Sequence, residues 1–230
     1  MLDDRGPECE TEGMSFSPAL AAAAALLAPL TGGAWPDSFA ARLEAQAQVQ
    51  AFNAELLSHD SATQTLQHWC ETHGSSPGLK IVARRVELDK PAGPTERADL
   101  GVGPNEPLRY RRVELACGER VLSRADNWYR PGRLTPEMNM ALDTTQTPFG
   151  VVVKALGYHR RTLSSELLFR PLPADWETLP QAPAPVGATL IIPPEILRHR
   201  AVLSTPDGIA FSLVQETYTD QVLFRPAFLP

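Results

Sequence analysis

The residues of this chain that could do chemistry are an arginine-rich strand, a proline-opened helix start and one glutamate among small neighbours. From Leu108 to Glu114 strict alternation puts Leu108, Tyr110, Arg112 and Glu114 on one face, and Arg109, Arg111, Val113 and Leu115 on the other. One arginine must therefore point toward apolar neighbours, and an inward guanidinium needs a carboxylate from the protein or from a ligand. An internal ion pair with Glu114 or Glu216 is the structural alternative. Thr147-Pro-Phe-Gly150 pairs an N-cap hydroxyl with Pro at the first helical position. Free N–H groups there, with Arg112 nearby, would make a carboxylate-binding corner. Glu216 lies in a strand beside Ala210, Ser212 and Val214, small residues that leave room for a planar guest. As an exposed edge carboxylate it would have no such role.

Three other patterns fail on context. Gly74-Ser-Ser-Pro-Gly78 matches a hydrolase nucleophile elbow in spelling, but it follows a helix and precedes a strand, the reverse of what that motif needs. Gly101-Val-Gly103 lacks the third glycine and the following helix of a dinucleotide fingerprint. His68, Cys70 and His73 lack the i, i+4 histidine pair of a helical metal site, and His73 reads instead as a cation at a helix C-terminus. No metal or cofactor is expected.

The elements that must position these residues follow from periodicity. Ala45, Val49, Phe52 and Leu56 form one helical stripe, with Phe39 and Leu43 off it. After a corner at Ser58 to Ser61, Leu66, Trp69, Cys70 and His73 form a second stripe, capped by Asp60 or Ser61 and stopped by Gly74. Strands are predicted over Lys80 to Leu88, Leu108 to Cys117 and Arg120 to Tyr129, the last two forming a hairpin at Gly118-Glu119. Helices should open at Thr135-Pro136 and at Thr147-Pro148, the second running from Phe149 to Leu156 and ending at Gly157. Tyr158 to Phe169 reads as a strand and residues 171–194 as a proline-rich connection. Arg198 to Ser204 and Ile209 to Phe224 then flank the Thr205-Pro-Asp-Gly208 turn. Helices first and hairpins later predict an α+β domain over residues 37–230, around an antiparallel sheet.

Composition bounds the function. In 230 residues there are 21 Lys and Arg against 27 Asp and Glu, a net charge of −6, which with no basic block argues against nucleic acid or an anionic membrane surface as partner. The longest apolar run, Ala19 to Ala28, is too short to insert across a bilayer and is broken by Pro29. Residues 1–36 read as an unstructured arm or as a signal-like segment starting at Met14, with small residues at Thr31 to Ala34 but no basic n-region. Cytoplasmic and exported locations both stay open. On export, Cys70 and Cys117 would remain as an even pair and could join the second helix to the sheet. Oligomeric state is not legible.

Several segments in this order resemble the chorismate lyase (chorismate pyruvate-lyase) family, whose fold is shared by the ligand-binding UTRA domains of transcription regulators. They are Leu56-Leu57, Asp60-Ser-Ala-Thr63, Arg109-Tyr-Arg-Arg-Val-Glu-Leu115, Gly118-Glu119, Thr147-Pro-Phe-Gly150 and Gln215-Glu216, spanning Leu56 to Pro230. The resemblance implies a sheet of about six antiparallel strands flanked by helices, with a small aromatic-acid pocket closed by flaps. It implies that Arg112 holds substrate and shares the catalytic work with Glu216, while the Phe149 N–H donates to a carboxylate and Ala62 starts a helix near the ligand. Tyr110 and Asn127 are further candidate contacts, as are Asp126 and Tyr129, although Trp128 and Tyr129 also suit a core. The implied reaction is elimination of pyruvate from chorismate to leave 4-hydroxybenzoate for ubiquinone synthesis, without a cofactor. The alternative is a non-catalytic module binding a small aromatic or carboxylated ligand on the same fold.

Overall fold

The structure is a computed structural model, and it describes residues 34–73 and 78–225. The signal-like run up to residue 33, the Gly74 to Pro77 part of the false elbow and the last five residues lie outside the described residues.

Helix α1 (Phe39–Ser58) begins where the Ser38 hydroxyl accepts the Ala41 N–H at 3.2 Å. It buries Ala41, Ala45, Val49, Phe52 and Leu56, so the predicted stripe gains one residue at its start. Phe39, off the stripe, meets Trp176 of the proline-rich connection, with ring centroids 6.2 Å apart. Helix α2 (Ala62–His73) follows a three-residue corner, and Ser61 Oγ accepts from the Gln64 N–H. Its buried stripe is Ala62, Thr65, Leu66, Trp69 and Cys70.

Six strands follow in one sheet: β1 (Ile81–Val86), β2 (Arg109–Cys117), β3 (Arg120–Tyr129), β4 (His159–Leu167), β5 (Glu195–Ser204) and β6 (Ala210–Thr219). Their spatial order is β1-β2-β3-β6-β5-β4, with every neighbouring pair antiparallel. The α+β class and the six-stranded sheet flanked by helices therefore stand as expected. Gly118 at φ 59° and Gly208 at φ 81° supply the left-handed residues that the β2–β3 and β5–β6 turns require.

Helices α1 and α2 pack on one face, against Val113, Leu115, Ala125 and Tyr218 among others. There Phe52 sits between Trp69 and Tyr218, with centroids 5.0 and 5.1 Å away. Side chains of that size each stabilise the fold by about 1.5–3 kcal/mol on full burial. A Cys70–Cys117 disulfide ties α2 to the end of β2. Helices α4 (Pro136–Thr144) and α5 (Phe149–Val152) extend this layer through Leu142 and Phe149, which cluster with Tyr129, Leu203 and Phe211.

The opposite face is covered in part by α3 (Pro94–Leu100), whose Leu100 packs with Trp128, Val202 and Leu213. This helix was not expected, yet its signals are present: Pro94 opens it, Glu96 reaches back to the Gly93 N–H at 2.9 Å, and Gly101 ends it at φ 64°. The second proline-opened helix is shorter than predicted. It runs four residues from Phe149, then tightens into a 3-10 turn, Lys154–Leu156, that ends at Gly157. Thr147 does not cap it; its hydroxyl accepts from Thr145 Oγ1 instead.

The proline-rich connection is anchored. Pro36 pairs with Thr189, the Leu190 N–H donates to the Trp35 carbonyl at 2.8 Å, and the Asp37 carboxylate takes the Val186 and Gly187 N–H groups. The Arg42 guanidinium, 2.6 Å from Asp37, holds that carboxyl well below the ordinary carboxylate range. Residues 34–36 thus belong structurally with the connection, across the boundary expected at 36/37.

Candidate functional site

The helix-covered face of the sheet opens, between the start of α2 and α5, into a cavity. Its floor is a grid set by register. Arg111 lies opposite Asn127, which lies opposite Val214; Val113 lies opposite Ala125, which lies opposite Glu216. Small Ala125 and Val113 leave open the space between Arg111 and Glu216, two strands apart and so separated by roughly 10 Å across the sheet. Asp60, Ala62 and Thr63 from the α2 start, Phe149 and Gly150 from α5, and Tyr158, Arg160 and Leu203 form the walls.

The cavity has an unusual charge pattern. Arg111 is 5% exposed, and its Nε has no partner. Its one hydrogen bond, from Nη2 to the Thr147 carbonyl, is long at 3.4 Å, and no carboxylate among the described residues forms an ion pair with it. Burial pulls its pKa below the ordinary guanidinium value. Arg160 is equally buried but paired: Nη2 lies 2.6 Å from Glu216 Oε2. Burial alone would lower the Arg160 pKa, but the neighbouring Glu216 charge more than offsets it and the value is raised.

Glu216 also accepts the Tyr218 hydroxyl at 3.0 Å, and burial followed by the Glu216 charge drives that phenol well above its ordinary value. Behind this pair His199 is fully buried, with Nε2 2.7 Å from Asn53 Oδ1, and burial pushes its pKa down to about 4. Asn127, 4% exposed, accepts the Ser212 hydroxyl on Oδ1 at 2.7 Å and leaves Nδ2 without a partner. At Gly150 a Cβ would come within 3.0 Å of the Tyr158 hydroxyl and 3.1 Å of Thr63 Oγ1, so a larger residue there would push these wall side chains apart.

The structure brings Ala62, Asn127, Phe149 and Glu216 together in this cavity. It does not bring Arg112 or Tyr110 there, and this corrects the expectation for both. They project from the opposite face of β2, where Arg112 Nη1 lies 3.5 Å from Asp126 Oδ1 and the Tyr110 hydroxyl donates to the same oxygen at 2.6 Å. Burial first, then Asp126, pushes the Tyr110 pKa up to about 12. Lys90 completes that group, 3.6 Å from Asp126 and stacked over Trp128. The physical reason is the period of two: a register chosen one residue away exchanges the faces, so the cavity arginine is Arg111.

Asp126, Trp128 and Tyr129 are likewise not cavity residues, and Trp128 and Tyr129 are core. Ala210 packs with the Leu213 cluster on the far side, leaving Val214 to line the cavity beside Glu216. Sequence reasoning missed Arg160, Tyr158, Thr63 and Gly150. Arg160 sits in an edge strand among His159, Arg161 and Thr162, where nothing local marks it as buried. Among the described residues no group of three or more His, Cys, Asp or Glu is placed to hold a metal ion, and no helix is long and apolar enough to cross a membrane.

No family model matches the chain. It is 51% identical over 195 residues to a protein of Sinorhizobium fredii (strain NBRC 101917 / NGR234) described as uncharacterized protein y4mC, covering 84% of this chain and 82% of that one. Among solved structures, the effector domain of PhnF from Mycobacterium smegmatis is similar at a TM-score of 0.46 and 15% identity, over 74% of this chain and 95% of that one. The Bacillus subtilis trehalose repressor (TreR) effector-binding domain is similar at 0.38 and 9% identity, over 65% and 97%. The chain spans 63% of Bacillus subtilis YydK, at a TM-score of 0.40 and 15% identity over 66% of this chain.

Proposed function

The chain belongs to the same family as the Sinorhizobium fredii protein y4mC, and on the chemistry of its cavity we propose that it binds a small organic carboxylate, with Arg111 as the principal anchor. One observation carries this reading: Arg111 is a buried guanidinium without a carboxylate ion-pair partner among the described residues, lining a cavity. Such a charge is costly to keep unless something neutralises it. A ligand carboxylate does so with charge-assisted hydrogen bonds, two of them if it engages the guanidinium side-on. Apolar Val113, Ala125, Val214 and Phe149 around it suit an aromatic ring. The ligand module is thus of the kind that UTRA domains represent, in keeping with the segments that resemble that fold.

A second reading, pyruvate elimination from chorismate, is favoured by the presence of Glu216 on the same floor. In it Arg111 takes the role first expected of Arg112, and Glu216 handles a proton while the ether C–O bond breaks. The Arg160 and Tyr218 contacts already occupy Glu216 Oε2, an arrangement better suited to holding Arg160 than to exchanging protons with a substrate. Binding without turnover is therefore the preferred form of the proposal.

The test is calorimetric titration with 4-hydroxybenzoate, together with incubation with chorismate and assay for 4-hydroxybenzoate and pyruvate. Binding is expected for the parent and should weaken by about 1.5–3 kcal/mol in Arg111→Met. Unchanged affinity in that variant removes the anchor. Pyruvate release above the uncatalysed rate replaces the module with the lyase.

A further inference from the structure

Arg111 does not face the cavity alone. Its register partner across β2 and β3 is Asn127, and side chains paired in this way stand about 5 Å apart on one face. The Asn127 amide is oriented: Ser212 Oγ donates to Oδ1 at 2.7 Å, which turns Nδ2 away from Ser212 and leaves it unpartnered although the residue is 4% exposed. Two buried, adjacent donors, Arg111 Nε and Asn127 Nδ2, thus lack acceptors in a cavity that both residues line. A buried N–H without an acceptor is uncommon, and two side by side match the two oxygens of a carboxylate.

Charge narrows the match further. The buried charges lining the cavity are Arg111 and Arg160 against Glu216, an excess of one positive charge. Asp60 also lines the cavity, but its side chain is 54% exposed and solvated. A monoanion brings the buried set to zero, whereas a dianion would leave an uncompensated negative charge there.

We propose that Asn127 is a specificity-determining residue which, with Arg111, forms a two-armed fork selecting monoanionic carboxylates over neutral amides and over dianions. This rests on the reading of the cavity as a carboxylate site. One carboxylate oxygen accepts from Arg111 and the other from Asn127 Nδ2.

The experiment uses benzoate and 4-hydroxybenzoate as probes, benzamide and phenylphosphonate as comparators, and the full chain as parent, Asn127→Ala, Asn127→Asp and Arg111→Met. In the parent the two carboxylates should bind at least ~10-fold more tightly than either comparator, and Asn127→Ala should weaken the carboxylates by ~10-fold. Asn127→Asp should abolish carboxylate binding and yet melt a few degrees above the parent, because its new carboxylate keeps the Ser212 bond and pairs with Arg111. A structural role alone would not move affinity and stability in opposite directions. If Asn127→Ala binds like the parent while Arg111→Met does not, the fork is wrong and the anchor stands. A lower melting temperature for Asn127→Asp also overturns the fork. If neither carboxylate binds the parent, both the fork and the site reading fall.

Discussion

Neighbouring arginines on one strand have opposite circumstances. On the α3 side of the sheet the cations are matched: Arg112 with Asp126, Arg124 with Glu114, and Arg200 with Asp99 and Glu96. On the α2 side, one residue away along β2, Arg111 is more deeply buried and forms no ion pair with a carboxylate among the described residues. The partly exposed Arg112, whose charge water could solvate, has its partner built in; the buried Arg111, where a lone charge is costly, does not, although Arg160 on the same face is paired with Glu216. A fold under selection for stability alone would distribute them the other way, so the imbalance points to a ligand that completes the buried set.

The comparison breaks most sharply at Glu216. Glu216→Gln leaves Arg160, whose side chain is 3% exposed, buried without a counter-charge, and the expected loss is about 3 to 5 kcal/mol in chemical denaturation. Glu114→Gln, the matching change on the other face, removes a half-exposed pair and should cost less than about 1 kcal/mol. Equal losses would mean that the two faces do not differ in the way described.

The next effect concerns what holds the buried face together. Cys70 lies on the same buried stripe of α2 as Ala62, and Cys117 two residues beyond Leu115, so the disulfide clamps the helical wall of the cavity to its floor. The 47-residue separation of the two cysteines corresponds to about 4 kcal/mol of unfolded-chain entropy. Reduction with a phosphine, verified by thiol counting, should lower the melting temperature. An unchanged transition would show that helix packing around Phe52 and Trp69 suffices.

Much of this was legible locally. The stripe from Ala45 to Leu56, the hairpin around Gly118 and the turn at Thr205 to Gly208 depend on neighbours in sequence, and the structure has them within a residue or two of the expected positions. That one β2 arginine points inward was also readable, since Val113 and Leu115 share the Arg111 face. The face that α1 and α2 would cover was not, and the resemblance pointed one residue along, to Arg112. Pro94, Glu96 and Gly101 spell the ends of helix α3, but its seven residues bury only Leu100, so no apolar stripe marks it in the sequence. The Arg160–Glu216 pair joins residues 56 apart from an edge and a central strand, and no local pattern reports such a contact.

A pH profile separates the faces in another way. His199 is packed against Asn53, Glu216, Tyr218 and Arg160 and titrates near 4 when folded, against about 6.5 when unfolded. Between those values the unfolded chain binds a proton that the folded chain refuses, so stability falls as pH drops from about 6.5 to about 4. The expected loss from this residue is roughly 3 kcal/mol, and it levels off below pH 4. His199→Gln should flatten that part of the curve. A slope that persists in the variant would assign it to carboxylates elsewhere.

The smallest expected effect is the most discriminating for the site. Arg112 is 32% exposed at its side chain and 3.5 Å from Asp126, a geometry in which an ion pair contributes about 1 kcal/mol or less. Its loss leaves Asp126 still bonded to the Tyr110 hydroxyl and near Lys90, so no carboxylate is stranded. Arg112→Ala should therefore shift the melting temperature by no more than about 2–4 °C and leave the affinity for 4-hydroxybenzoate at the parent value. Arg111→Met should do the reverse, holding or raising stability while binding weakens by about 1.5–3 kcal/mol, because it removes an unpaired buried charge that anchors the ligand. Should Arg112→Ala lose the ligand and Arg111→Met keep it, β2 would have to sit one residue out of the register described, with Tyr110 and Arg112 facing the cavity.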